Sequence, residues 1–186
     1  MILKYICILS IIFLVFSCKS SKSKYTLKTK TKTELTVIID SMYKLDQKIR
    51  RYYSFELDSI YGIKRDMRLK LKEILKEKYT SYKIKKDSAR NLMHKIDNTN
   101  TLKLLKITKK HGFPSNERLN TYKAKAYMIF VHSNLNKYGE VIRNTINIEY
   151  KYNRINEYKK GYIFWHLDGR KGWPPMCGEN GEAIWQ

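Results

Sequence analysis

The chain has 186 residues, of which 42% are hydrophobic and 30% charged, which is typical of one globular domain and excludes a disordered or fibrous chain. It carries 38 Lys and Arg residues against 17 Asp and Glu residues, a formal net charge of +21. Its three cysteines, Cys7, Cys18 and Cys177, cannot form the framework of a disulfide-rich protein.

The first predicted element is an export signal. Lys4 precedes a nearly unbroken apolar run, Tyr5 to Phe16, which has the length of a signal-peptide core and is too short to span a bilayer of about 30 Å. The residues Val15-Phe16-Ser17-Cys18 resemble the lipobox of bacterial lipoproteins. The resemblance implies that residues 1–17 are a signal peptide and that Cys18 becomes the lipidated, acylated N-terminus. Plain secretion or a simple N-terminal membrane anchor is the alternative.

A basic tether, residues 18–33, is predicted to follow. Lys19 to Thr33 contains six lysines, no acidic residue and many Ser and Thr residues. Because this composition buries too little apolar surface to offset the entropy of ordering, it predicts a flexible linker. Its lysines would also attract anionic lipid headgroups.

Residues 34–186 are predicted to form a single, mainly α domain. We expect a helical bundle of about five to six helices with a small C-terminal β or irregular cap. From Glu34 onward, apolar residues recur at spacings of three and four, which is typical of an amphipathic helix. This first stripe contains Leu35, Ile38, Met42, Leu45, Ile49 and Tyr52. A basic second helix is expected from Met67 to Leu75 and a third from Ala89 to Ile96.

The middle of the domain contains several predicted helix ends. Asp97 or Thr99 is predicted to cap a separate short helix, which ends where Gly112 can adopt a left-handed conformation. Ser115 is then predicted to cap a helix that extends to about Leu135. Its stretch 126–131 is apolar on every side and therefore indicates a central, buried helix.

The C-terminal region predicts a change of structure. A last helix with apolar residues from Tyr138 to Ile155 is expected to end at Gly161. Tyr162 to Leu167 is β-prone, and Asp168-Gly169 and Asn180-Gly181 are typical hairpin turns. We expect the resulting cap to pack on the helices through its three tryptophans, Trp165, Trp173 and Trp185.

No familiar catalytic or metal-binding motif occurs in the sequence. It lacks a phosphate-binding glycine loop, a GxSxG or HExxH motif and Cys–His metal spacing. Its four histidines are scattered, so neither a metal nor a cofactor is predicted. Cys177 has no recognisable base beside it and is expected to be an inert thiol.

One set of short motifs is more specific. Asp46-Gln47-x-x-Arg50 lies on the first helix, Asp97-x-x-Asn100 and Gly112-Phe113-Pro114 follow, and His132 closes the apolar stretch. This order resembles an uncharacterised bacterial domain of unknown function that often occurs in lipoproteins, and the resemblance covers roughly Leu35 to Ser133. Since that family has no established activity, the resemblance implies a fold and candidate positions only.

Each of these residues also has an ordinary structural explanation. Arg50 and Asp46 form an i, i+4 pair, Asp97 and Asn100 can cap and brace a helix start, and His132 can be a half-buried imidazole. The more specific hypothesis gathers the candidate site residues into one polar cleft that performs acid–base chemistry or holds an anion. These candidates are Asp46, Arg50, Asp97, Asn100 and His132.

The positive charge favours an anionic partner. The export signal argues against a nucleic-acid partner, and so does the predominance of Lys, 29 of the 38 basic residues. The stretch Lys64 to Lys86 contains ten basic and three acidic residues. It is either a solvated helix face or a docking patch for an anionic lipid, a polymer or an acidic protein.

These observations predict a lipid-anchored bacterial envelope protein, with its domain outside the cytoplasm, that acts as a binding or scaffold module. A narrower version sequesters a single protein partner, as an immunity or accessory protein does. The alternative is a hydrolase-like enzyme that uses His132 with Asp46 or Asp97.

Overall fold

The computed structural model describes residues 26–185. The signal peptide 1–17, the lipidation site Cys18 and the tether as far as residue 25 lie outside the described residues and stay predictions.

The first half of the described chain consists of helices joined by short irregular helical turns. Helix α1 (Thr29–Arg51) continues through a π-helical turn (Tyr52–Glu56) into α2 (Leu57–Ile60). Two 3₁₀ turns (Arg65–Lys70 and Lys76–Lys78) flank α3 (Leu71–Leu75). Helix α4 (Tyr79–His111), with 33 residues, is longer than the other helices described here.

The second half supplies shorter helices and the β cap. These are α5 (Asn116–Leu119), α6 (Ala126–Val131), α7 (Leu135–Lys151) and α8 (Glu157–Leu167). Strands β1 (Met176–Cys177) and β2 (Ala183–Ile184) pair antiparallel, with Met176 opposite Ile184. The predicted mainly α bundle with a small C-terminal β cap is confirmed.

The main core lies where α1, α4, α6, α7 and α8 meet. Stretch 126–131 is central and mostly buried, as predicted, and Phe130 packs beside Phe113 with ring centroids 6.1 Å apart. Each surrounding element contributes fully buried apolar side chains to this core: Ile39, Leu104, Phe113, Phe130, Ile142, Ile146 and Ile163.

The first helix begins earlier than predicted. It starts at Thr29 rather than Glu34, so residues 29–33 belong to the domain and not to a flexible tether. Two features explain the difference. Leu27 packs against the main core, and the Thr36 hydroxyl donates to the Lys32 carbonyl oxygen at 2.8 Å within the helix. A docked amphipathic helix therefore extends into a basic sequence that would not form a helix by itself.

The predicted break near Asp97 is wrong. Helix α4 passes through Asp97 and Thr99 without interruption, and neither side chain caps a helix. Asp97 bonds instead to a side chain of α1, as described below. Asp disfavours helices because its carboxylate competes for backbone N–H groups, and a carboxylate that is already bonded elsewhere does not compete. The C-terminal end of α4 is at His111, as the sequence predicted.

Gly112 ends α4 in an unusual conformation. Its φ of +75° is combined with a ψ of 166°, so it does not adopt the predicted left-handed cap but a region that is essentially restricted to glycine. A Cβ atom at this position would lie 2.7 Å from Arg154 Cδ and 2.9 Å from Arg118 Nη1. Glycine therefore allows two arginine side chains to cover the end of the helix.

Two predicted long helices are each split in two. Ser115 does accept a hydrogen bond from the Arg118 N–H, but the helix it caps ends at Leu119 because Asn120 adopts a left-handed φ of 52°. Likewise α7 ends at Lys151, and Asn153, at a φ of 54°, turns the chain toward α8.

The predicted strand at Tyr162 to Leu167 is also wrong, because this segment belongs to α8. Asn156 caps α8 by accepting from the Lys159 N–H, and packing of Ile163 in the core overrides the β propensity of the sequence. The second predicted turn does join the two strands, with Gly181 at a φ of 80°, but the connection is longer than the predicted two residues because it spans residues 178–182. Of the cap tryptophans, Trp165 packs edge-on against Tyr162, whereas Trp173 and Trp185 are largely exposed.

A small second core supports the basic segment. Leu57, Ile63, Leu75 and Tyr82 are buried together, away from the main core. Among residues 26–185, no helix combines the length and the apolar character needed to cross a membrane.

Candidate functional site

Four of the five predicted site residues converge at the junction of α1, α4 and α6. Asp46 and Arg50 lie one turn apart on α1, Asp97 lies in the middle of α4, and His132 directly follows α6. We call these four residues the polar cluster. Their convergence results from the packing of α1 on α4 and of α6 on both.

Arg50 is the centre of the polar cluster. Its Nε donates to Asp46 Oδ1 at 2.9 Å, and its Nη2 donates to Asp97 Oδ1 at 2.6 Å. Its third nitrogen, Nη1, makes a weak contact of 3.4 Å with Met93 Sδ. One planar guanidinium thus joins two helices through two charge-assisted hydrogen bonds.

The His132 ring is oriented by Asp46. Its Nδ1 lies 2.9 Å from Asp46 Oδ2 and 3.1 Å from Oδ1. Arg50 Nε is also 3.1 Å from Nδ1, because both donors approach the same carboxylate oxygen. Two carboxylate oxygens and one N–H donor, that of Arg50, approach Nδ1, and the contacts to Asp46 favour the tautomer that carries its proton on Nδ1.

The other ring nitrogen of His132 has no protein partner. No atom of residues 26–185 bonds to Nε2. Since Nε2 is also not one of the solvent-inaccessible polar atoms without a hydrogen bond, it is in contact with solvent. With the proton on Nδ1, Nε2 of the neutral ring is a hydrogen-bond acceptor. This is the arrangement that carboxylate–histidine pairs use in general-base catalysis.

The two carboxyl groups of the polar cluster have opposite pKa shifts. Burial, with a smaller contribution from the neighbouring Asp46, raises the pKa of Asp97 to about 7 against the opposing effect of Arg50. Burial also acts to raise the pKa of Asp46. There, however, the hydrogen bond and charge of His132, together with Arg50 and Gln47, hold it below its usual 3.8. The cluster therefore contains one ionised carboxylate and one carboxyl group that exchanges its proton near neutral pH.

Asn100 lies outside the polar cluster. It is buried on α4 and its Nδ2 donates to the Met42 carbonyl oxygen of α1 at 3.2 Å. Its contact therefore braces α4 against α1 and does not reach Arg50 or His132.

Sequence analysis missed two residues that hold the backbone on either side of His132. His166 Nε2 lies 3.0 Å from the Ser133 carbonyl oxygen, and Arg170 Nη2 donates to the Val131 carbonyl oxygen at 2.9 Å. Arg170 Nε donates to His166 Nδ1 at 3.2 Å, which fixes the His166 proton on Nε2. Burial lowers the pKa of His166 to about 4, so this ring is neutral at physiological pH. The sequence contained no signal for this pair, because Arg170 lies in the turn after α8, at a φ of 58°, and not on the helix that carries His166.

Gln47 supports the polar cluster, although it was not one of the predicted site residues. Its Nε2 donates to Asp46 Oδ2 at 2.7 Å, so both oxygens of Asp46 are fully engaged. Its place inside the Asp-Gln-x-x-Arg motif was the available signal.

The basic segment, residues 64–86, forms a separate surface. It is attached through the buried Asp58, whose carboxylate accepts hydrogen bonds from Tyr82 Oη, Arg68 Nη2 and Lys86 Nζ at 2.9, 2.6 and 2.8 Å. These contacts hold the pKa of Asp58 below its usual value although its burial acts to raise it. The remaining lysines point outward, and within the described residues the following make no ion pair: Lys64, Lys70, Lys72, Lys76 and Lys78.

The described residues offer no metal site. No group of three or more His, Cys, Asp or Glu side chains between residues 26 and 185 is arranged to hold an ion. Cys177 is a free, exposed thiol on β1.

Comparison with known proteins gives no match to a protein family, a curated protein or a solved structure. The function of the chain therefore rests on the chemistry of its own residues.

Proposed function

We propose that this chain is a lipid-anchored protein of the bacterial envelope that binds an anionic partner through the basic segment, residues 64–86. The lipobox-like sequence before Cys18 supports the anchor. An acylated Cys18 would hold the domain close to anionic headgroups, so a lipid surface is the first partner to test.

The distribution of charge carries the proposal. Four carboxylates are buried, and each is paired with Arg, Lys or His side chains inside the fold: Asp46, Asp58, Asp97 and Glu149. The acidic residues that remain on the surface are too few to neutralise the exposed lysines of a chain with net charge +21. A surface of this kind attracts polyanions from a distance comparable to the Debye length.

The basic segment is built to present its charges. The second core and the Asp58 contacts fix its backbone, while its lysines remain exposed. The polar cluster, by contrast, uses the Arg50 guanidinium and both Asp46 oxygens internally, so it serves chiefly as a joint between α1, α4 and α6.

Replacement of the lipidated residue should abolish maturation. In Cys18→Ala we expect an unprocessed precursor without acyl groups, because the thiol is the site of lipid attachment. Mass spectrometry of the protein purified from membranes measures both properties, and Cys177→Ala is the matched control that should mature normally. A wild-type chain with a free Cys18 thiol would contradict the anchor.

Binding to an anionic surface should depend on salt and on the basic segment. We expect the full chain, held in phosphatidylcholine nanodiscs, to float with phosphatidylglycerol vesicles at low salt and to dissociate as ionic strength rises to the physiological range. Each Lys near such a surface contributes about 1 kcal/mol. Removal of four should therefore weaken binding by roughly two to three orders of magnitude. The test variant combines Lys64→Gln, Lys70→Gln, Lys72→Gln and Lys78→Gln.

The control removes the same charge elsewhere. It combines four exposed lysines on other surfaces: Lys103→Gln, Lys123→Gln, Lys151→Gln and Lys171→Gln. Equal weakening by both variants would mean that net charge alone attracts the vesicles and that the basic segment is not a docking surface. Absence of flotation of the wild-type chain at low salt would overturn the proposal.

A second candidate function is that of a hydrolase-like enzyme, and the open Nε2 of His132 favours it. In this version Asp46 orients the ring and His132 removes a proton from water, while Asp97, with its pKa near 7, supplies or stores a proton.

Chemical modification tests whether Nε2 is available. We expect diethyl pyrocarbonate to modify His132 at Nε2 and to spare His166, because both ring nitrogens of His166 are engaged. His94 is exposed and is the positive control within the same chain. Protection of His132 to the level of His166, measured by peptide mass spectrometry, would exclude it as the base.

A further inference from the structure

A cleft of about 720 Å³ lies between α4 and α7, separate from the polar cluster and from the basic segment. Leu27, just before α1, closes one side of it, and Arg118 and Arg154 lie at the end near Gly112. Its volume falls in the range of small-molecule sites, about 300 to 1,000 Å³.

The α7 wall of the cleft is apolar, and residues 26–185 leave its aliphatic side chains largely uncovered. Val141 and Ile148 lie two turns apart on one helix face and are 47% and 54% exposed. The apolar spacing of the sequence places Tyr138, Val141 and Ile148 in one stripe, but of these three the core buries only Tyr138, together with Ile142 and Ile146 of the adjacent face. The exposed stripe lines the cleft instead.

The α4 wall is cationic. Lys106, Lys109 and Lys110 line the cleft, are exposed, and make no ion pair within residues 26–185. The carboxylate that lines the cleft, Glu149, cannot neutralise them. It is engaged by Arg154 at 2.6 and 2.7 Å and by the Phe113 N–H at 2.6 Å.

A buried hydroxyl without a partner also lines the cleft. Thr108 is 2% exposed, and its Oγ1 bonds to no atom of the described chain. This oxygen is itself inaccessible to solvent, so Thr108 is part of the packed wall of the cleft and its hydroxyl is not a contact for a ligand.

We propose that this cleft binds a single-chain anionic amphiphile. The apolar stripe runs from Val141 to Tyr152, a rise of about 16 Å along the helix, which matches an extended alkyl chain of about a dozen carbons. The lysines of α4 complement a carboxylate headgroup, and the apolar side chains of the α7 wall exclude water from the alkyl chain. The proposal concerns a site distinct from the basic segment and holds whether or not that segment docks on vesicles.

The test uses a photoreactive dodecanoate probe and the full chain in phosphatidylcholine nanodiscs. After irradiation, we expect peptide mass spectrometry to find the label on α7 between residues 141 and 152 and on the end of α4. An excess of dodecanoate should compete, whereas dodecyltrimethylammonium, with the same tail and the opposite charge, should not. Label spread along the chain, or equal competition by both compounds, would overturn the proposal.

Matched variants separate the two walls. Ile148→Asp should reduce labelling about tenfold or more, because it places a like charge and a polar group in the apolar wall. Val141→Asp is a second variant of the same kind, and Ile84→Asp, at a position 65% exposed on α4 outside the cleft, is the control that should label normally. Circular dichroism verifies that each variant is folded. Unchanged labelling of both cleft variants would overturn the proposal.

The cationic wall has its own control. Combined replacement of Lys106, Lys109 and Lys110 by Gln should abolish the preference for dodecanoate over dodecanol, while replacement of Lys64, Lys70 and Lys72 should leave it intact. If both triple variants keep the preference, the α4 lysines do not bind the headgroup and the proposal fails.

Discussion

Asp97→Asn should reveal a loss of stability in mild acid that the wild-type chain hides. In the folded wild-type chain the pKa of Asp97 is about 7, whereas an unfolded Asp titrates near 3.8. Between these values the folded state binds a proton that the unfolded state does not. The contribution of Asp97 to the free energy of unfolding therefore falls as pH rises through this window.

His166 has the opposite effect over almost the same range. The pKa of His166 is about 4 in the folded chain and 6.5 in the unfolded chain. Between these two pH values the unfolded state therefore binds a proton that the folded state does not. The contribution of His166 to stability therefore rises with pH. Between about pH 4 and 6.5 the two effects have opposite signs, and each changes the free energy of unfolding by about 1.4 kcal/mol per pH unit for one proton. The contributions of Asp97 and His166 should therefore nearly cancel in the wild type.

Denaturant unfolding at a series of pH values separates the two groups. Asp97→Asn should lose roughly 3 kcal/mol of unfolding free energy between pH 6.5 and 4, because only the His166 effect remains. His166→Gln should show the mirror image and gain stability as pH falls. Asp168→Asn, which changes an exposed carboxyl group paired with Arg143, is the control that should follow the wild type. An Asp97→Asn profile parallel to that of the wild type would refute the assigned pKa shift.

Arg50→Met should be among the most destabilising single substitutions in the domain. The change leaves two buried carboxyl groups, Asp46 and Asp97, without the cation that joins them. Removal of one partner of a buried ion pair typically costs about 3–5 kcal/mol. We expect a loss of this size in urea unfolding at pH 7.

The matched control is the exposed pair of Arg143 and Asp168, whose side chains are 37% and 61% exposed. Arg143→Met should cost no more than about 1 kcal/mol, because solvent screens an exposed pair. Addition of Asp97→Asn to Arg50→Met should change the free energy of unfolding little at pH 7, because loss of Arg50 raises the pKa of Asp97 further and leaves its carboxyl group neutral. Equal costs for Arg50→Met and Arg143→Met would show that the polar cluster is not a buried joint.

The sequence predicted the fold class because composition and apolar periodicity are local properties, and the helices of the structure follow them. It also predicted that Asp46 and Arg50 share a helix face, because they lie four residues apart. Asp97 and His132 were candidates through the resemblance of their motifs and not through spacing. The sequence could not predict that α4 continues through Asp97, because the residue that satisfies this side chain is 47 positions away in the chain. The local sequence predicts that Asp97 caps a helix, but in the structure its carboxylate makes a tertiary contact.

The remaining errors have the same origin. The α7 sequence carries two apolar stripes, one through Val141 and Ile148 and one through Ile142 and Ile146, and only the packing of α8 and α4 selects the buried one. His166 was missed because its acceptor is a backbone carbonyl 33 residues earlier, which no side-chain pattern records. The β-prone segment before Asp168 is helical because its buried face fits α6.

The early start of α1 has a mechanical consequence. From Thr29 to Arg50 the chain is one continuous helix of about 32 Å, with no slack between its first turn and the polar cluster. If Cys18 holds the protein to a membrane, a pull on the anchor is delivered along this rod. The load then falls first on the core packing of Leu27 and Ile39 and, at the far end of the helix, on the Arg50–Asp97 ion pair that joins α1 to α4. Tension at the membrane surface would thus be resisted by apolar packing before it reached the polar cluster.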